Sequence, residues 1–205
     1  EQVARYVAAH MDLEWLKAKL SRGYPRRLSP SAFRHQLVKL AQQAKKRIVL
    51  PEAGTADGEA MPLDLTLAIV ARIAQATDLP LTVDFEGGYA ADPQAVAANV
   101  ARVIAAGAVG INFEDQVVKG TGIYPVDEQS ARIRAVRQAA DAAGIPLFIN
   151  ARTDLFLKAD GDHAALMPEA LARRAAYAAA GANGFFVPAL TDAALIAGVC
   201  RESEL

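Results

Sequence analysis

Five short apolar runs set the limits on this fold: RIVLP at 47–51, LTVDF at 81–85, VGINF at 109–113, PLFIN at 146–150 and GFFVP at 184–188. From the second run onward, a helical pattern separates each from the next. Starts near 81, 109, 146 and 184 are about one βα unit apart, the spacing of consecutive parallel strands joined by crossover helices. Strands this apolar belong in a sheet covered by helices, so the expected class is α/β with parallel strands. Composition agrees. Alanine supplies 45 of 205 residues, against seven Phe, five Tyr and one Trp, which favours closely packed helices over an all-β architecture. A hydrophobic content of 53% excludes intrinsic disorder.

Local signals place the helices. A helical stretch runs from Leu63 to about Ala76, and Asp92-Pro93 opens a second that carries Val96, Val100 and Val103. A third covers about 127–143 and a fourth about 168–180. Gly144 and Gly181 follow them at the position where a left-handed residue closes a helix. Thr191-Asp192 opens a short final helix. Upstream, two amphipathic helical patterns fill residues 1–46, the second starting at Ser29-Pro30 with Phe33, Leu37, Leu40 and Ala44 on one face. The domain reading is therefore an N-terminal helical segment over 1–46 and an α/β domain over 47–205.

Charge divides near the same place. Residues 1–50 hold 11 Lys/Arg and 3 Asp/Glu, whereas 51–205 hold 11 and 20. The basic residues are spread along helices without interleaved aromatic platforms, which argues against nucleic acid as a partner. No apolar stretch reaches the roughly 20 residues of a membrane span. Cys200 is the single cysteine, so no intrachain disulfide forms. With no signal peptide visible, the expected compartment is the cytoplasm.

Three successive strands end in polar residues: Asp84 and Glu86, then Glu114 and Asp115, then Asn150, Arg152 and Asp154. In parallel α/β folds ligands bind at the carboxyl ends of strands. Acidic groups converging there offer hard oxygen ligands for Mg²⁺, and Arg152 adds a planar fork for a substrate carboxylate. Mg²⁺ beside a 2-oxo acid stabilises an enolate, which is lyase chemistry. The competing reading is structural: strand ends meet solvent, and Asp115 and Asp154 cap helices or pair with arginines. Gly87-Gly88 marks a tight turn or a close approach to a ligand.

VDFEGGYA, GINFEDQ, INARTDLFL and GFFVPAL, in this order and spacing, resemble the isocitrate lyase and phosphoenolpyruvate mutase family over about residues 54–200. The resemblance implies a TIM-like (β/α) barrel, here incomplete: five strands are countable against eight, and a full barrel takes about 250 residues. It also implies roles. Asp84 and Glu86 form the acidic pair of a Mg²⁺ site, with Asp84 nearer the ion, and Glu114 completes it through water. Arg152 binds the carboxylate or phosphonate of a 2-oxo acid or phosphonate substrate, with Asn150 and Gly87 beside it. Lys119 lies on the loop that closes over the site and carries an acid or base.

Two departures shape the expected chemistry. The gating stretch reads VVKGTGIYP without the cysteine of the isocitrate and methylisocitrate lyases, which points to the branch with mutases, phosphonate hydrolases and oxaloacetate-type lyases. Residues 3–53 instead resemble the central region of phosphate acetyltransferase, so the chain reads as a hybrid joined near its first strand. The rival functions are an acetyltransferase fragment and a catalytically inactive hybrid or assembly module. Because a partial barrel leaves sheet edges unpaired, a homo-oligomer is expected.

Overall fold

The computed structural model describes residues 58–157, 159 and 161–201. The helical segment expected over 1–46 and the strand expected at 47–51 lie outside the described residues. Helix α1 (Leu63–Ala76) leads to strand β1 (Thr82–Asp84), followed by α2 (Pro93–Ala105) and β2 (Gly110–Glu114). Next come α3 (Val126–Ala142), β3 (Phe148–Arg152), a 3₁₀ turn over His163–Leu166, α4 (Met167–Ala179), β4 (Gly184–Phe186) and α5 (Ala193–Arg201). The four strands are parallel and adjacent in chain order, β1-β2-β3-β4. This is the expected α/β class, an arc of a (β/α) barrel.

Helix boundaries follow their sequence signals. Asp92 caps α2, its carboxylate accepting from the Ala95 N–H at 2.8 Å, with Pro93 in the first turn. Gly144 (φ +66°) and Gly181 (φ +105°) adopt the left-handed conformation just beyond α3 and α4. The 3₁₀ turn ahead of α4 is capped by Asp162, a feature absent from the sequence reading.

Period-two alternation gives the sheet two distinct faces. Val83, Ile111, Phe113, Ile149 and Ala151 point to one side and join Val96, Val100, Val103, Ile133, Val136 and Ala140 of α2 and α3 in the main core. On the other side the register sets Asp84 beside Asn112, Asn112 beside Asn150, and Glu114 beside Arg152. Asn150 pairs with Gly184, where a Cβ would fall 2.7 Å from the Asn150 Oδ1. One face therefore holds the domain together and the other is free for chemistry. Within the core, Ile149 is fully buried. We predict that Ile149→Ala costs about 2–5 kcal/mol, read as a lower midpoint in urea unfolding.

Candidate active site at the strand ends

Each polar side chain on the open face is delivered by its place in a strand. Asp84 ends β1 and is exposed. Glu114 ends β2 and is 5% exposed. Arg152 ends β3, and its Nη1 stands 3.1 Å from the Glu114 Oε2 while its Nε donates to the Asp154 Oδ1 at 2.6 Å. Asp154 is fully buried, and its Oδ2 has no hydrogen-bond partner. One turn deeper, the Asn150 Nδ2 donates to the Asn112 Oδ1 at 2.8 Å. Asn112 was missed in the sequence, although it sits two residues before Glu114 as Asn150 sits two before Arg152, which places both pairs on one face.

Glu114 reports the electrostatics. Burial pushes its carboxyl up from 4.5 to about 7; Arg152 pulls it down, and Asp154, Asp84 and Glu86 push it up further. Glu114 and Asp154 contact the one guanidinium, and Asp84 and Glu86 add to the negative field on Glu114, an excess that a cation would relieve. No three carboxylate, imidazole or thiolate groups among the described residues stand close enough to enclose a metal ion. The reason is visible in the partners. The Glu86 Oε2 accepts from the N–H groups of Gly58 and Glu59, and Glu114 faces Arg152. Among the described residues, Asp84 has only a long 3.4 Å contact from the Glu86 N–H. The donor set fits Mg²⁺ held by one carboxylate with the rest through water, the habit of an ion that keeps its hydration shell; it does not form a three-carboxylate cage.

Asp115 plays another part. Buried beneath the site, it accepts from the Tyr177 hydroxyl at 2.8 Å, from Arg173 Nη1 at 3.1 Å and from the Asp154 N–H at 2.9 Å. Burial raises its pKa, against those hydrogen bonds and the Arg173 charge. Its own carbonyl accepts from the Tyr124 N–H at 2.7 Å, and Arg173 also donates to the Tyr124 carbonyl at 2.9 Å. Pairing with arginine, the structural alternative for Asp115 and Asp154, is what both residues do. Arg173 and Tyr177, four apart on α4, went unnoticed in the sequence; an arginine on the buried face of an Ala-rich helix is the signal that marks such a partner.

Gly87 and Lys119 lie to one side. Gly87 is buried and Lys119 exposed, and both line a cavity of about 260 Å³ together with Glu59, Tyr89, Gln116 and Tyr124. Asp84, Glu114, Asn150 and Arg152 are not among its lining residues. The loop carrying Lys119 is pinned by an antiparallel bridge between Gln116 and Ile123. The loop after β1 is strained: Glu86 (φ +47°) and Tyr89 (φ +59°) are left-handed without being glycine, at roughly 1–2 kcal/mol each. Gly88 (φ +82°) is required on two counts, since a Cβ there would also meet the Phe113 ring at 2.9 Å.

The family model for phosphoenolpyruvate phosphomutase matches residues 51–205. The chain belongs to that family. A 2-methylisocitrate lyase of Escherichia coli is 36% identical over 138 residues, 65% of this chain and 45% of that protein. A crystal structure from Burkholderia cenocepacia, named there as a candidate phosphonomutase, is 50% identical with a TM-score of 0.68, covering 71% of this chain and 60% of that one. The N-terminal quarter is similar to something else: a phosphate acetyltransferase of Acinetobacter baylyi, 58% identical over 52 residues, 25% of this chain and 7% of that enzyme. The chain is thus a hybrid of two similarities, and it spans less than half of the lyase it matches.

The raised Glu114 pKa has a defined consequence for stability. The folded chain holds this proton more tightly than the unfolded chain, so the contribution favours folding below 4.5 and is lost as pH rises to about 7. In Glu114→Gln that loss disappears. Urea midpoints measured across this window are expected to shift in favour of the variant as pH rises; parallel curves would contradict the assignment.

Proposed function

We propose that this chain carries the Mg²⁺-dependent site of a lyase or mutase that makes or breaks a C–C or P–C bond beside the carbonyl of a 2-oxo acid, through an enolate. The observation that carries the reading is the surplus of carboxylates around Arg152 at the carboxyl ends of three parallel strands, with Glu114 raised to about 7. Membership of the phosphoenolpyruvate phosphomutase family supports it.

Asp84 is the residue to hold Mg²⁺ directly, with Glu86 and Glu114 acting through water. Mg²⁺ supplies Lewis-acid stabilisation of the negative charge that collects on the substrate's oxygens as the bond breaks. Arg152 gives its Nε–H to Asp154 and faces Glu114 with Nη1, which leaves the N–H groups of Nη2 for a substrate carboxylate or phosphonate. Those two carboxylates fix the guanidinium plane, and its orientation costs little when substrate arrives. Asn150, tied to Asn112, presents a neutral amide beside Arg152. Gly87 allows close approach at the cavity edge, and Lys119 on the adjoining loop is the acid or base.

The ligands are small 2-oxo acids or phosphonates, acting in the cytoplasm on a homo-oligomer whose second copy covers a sheet edge. Among the described residues no helix is long and apolar enough to cross a membrane. The acetyltransferase-like quarter corresponds to 7% of such an enzyme, so acetyl transfer is not the reading favoured.

Oxalate mimics a planar enolate of pyruvate. Calorimetric titration of oxalate is expected to show binding that requires Mg²⁺ and is lost in Asp84→Ala. A folded wild-type protein that binds no oxalate at millimolar Mg²⁺ would leave the inactive-hybrid reading in its place.

A further inference from the structure

Among the described residues Arg132 is the largest side chain buried to 1% exposure or less, yet it stands on α3, outside the strand ends that carry the proposed chemistry. Its partners are unusual for a buried cation. The guanidinium lies 4.2 Å from the Tyr124 ring centroid and 4.9 Å from that of Phe113, sandwiched by aromatic faces. Its Nη2 donates to the Gly87 carbonyl and, at 2.9 Å, to the Ala90 carbonyl; its Nη1 donates to the Gln129 Oε1. Gln129, one turn earlier and also fully buried, donates its own amide to the Glu114 carbonyl at 3.1 Å. Two side chains three apart on one helix therefore tie together the strand end bearing Glu114 and the loop bearing Glu86 and Gly87.

That loop is where restraint is needed. Three of the four residues 86–89 are left-handed, two of them not glycine. Backbone in such a conformation persists only when its surroundings over-determine it. Additional ties exist: the Asn99 Nδ2 donates to the Gly88 carbonyl at 3.0 Å, and the Tyr89 N–H donates to the Glu59 Oε1 at 2.6 Å. Among the described residues only Arg132 grips two carbonyls of the loop at once, and its Nε has no hydrogen-bond partner. A core position that needed only volume would be filled by an apolar side chain, without the desolvation of a guanidinium.

We infer that Arg132, seated on Gln129, is a positioning residue that holds the 86–90 loop in its strained form and so fixes Glu86 and Gly87 at the rim of the site. The inference rests on the proposed function for what the loop serves, but the positioning itself is measurable without it. Lysine keeps the charge between the rings but has a single nitrogen, so it cannot hold the Gly87 and Ala90 carbonyls through one nitrogen and the Gln129 Oε1 through another.

The test compares wild type with Arg132→Lys by amide hydrogen exchange, thermal melting and oxalate titration in Mg²⁺. Exchange within 86–91 is expected to quicken by at least about tenfold while β3 and α4 keep their protection, and oxalate affinity is expected to weaken by a similar factor. Unchanged exchange in 86–91 of a folded variant would overturn the inference, as would a uniform rise across the whole domain, the signature of a residue that only stabilises the core. If Arg132→Lys does not fold, Gln129→Leu decides: the same local quickening supports the inference and its absence overturns it. Should wild type itself bind no oxalate, the functional reading fails, while the exchange pattern still judges the positioning role.

Discussion

The parallel pairing of β2 with β3 is the constraint on which the site depends. Its register sets Glu114 beside Arg152, and a slip of one residue in either strand would turn that strand's polar side chain into the helical core and part the pair. The register is fixed from the other side of the sheet, where Ile111, Phe113, Ile149 and Ala151 fill the core against α2 and α3. Fold and site are thus two faces of one alternation. What packs the domain also decides which groups meet at the strand ends.

Charges gathered in this way come at a cost, and the structure distributes it. Arg152 balances part of the negative charge of Glu114 and Asp154, while Asp115 is satisfied by Arg173 and Tyr177. Burial, more than the neighbouring carboxylates, raises the Glu114 carboxyl to about 7. A protein built only to be stable would replace such a cluster by apolar residues of similar volume, since buried ion pairs seldom repay their desolvation.

Much of this was legible in the sequence because short-range rules govern it. Helix starts at Asp92-Pro93 and stops at Gly144 and Gly181 need only local backbone chemistry, and the apolar runs announce strands. Asp84, Glu114, Asn150 and Arg152 follow from strand ends in a parallel sheet. What stayed hidden depends on contacts between distant segments. Glu86 binds amides 27 and 28 residues away, Arg132 reaches back 45 residues to Gly87, and Arg173 lies 58 residues from Asp115. No periodicity within one helix encodes such partners. The same long-range contacts explain why Glu86 and Glu114 are not free to enclose a metal, and why Gly87 and Lys119 face a cavity beside the carboxylates.

Burial raises the Glu114 carboxyl, with Asp154, Asp84 and Glu86 adding to the rise, and a cation bound beside it would pull it down. Infrared titration of ¹³C-labelled glutamate carboxylates, with Glu114→Gln subtracted to isolate one group, measures this directly. The expected result is a midpoint of about 7 that falls when Mg²⁺ is added. A midpoint near the ordinary 4.5, unmoved by Mg²⁺, would contradict it.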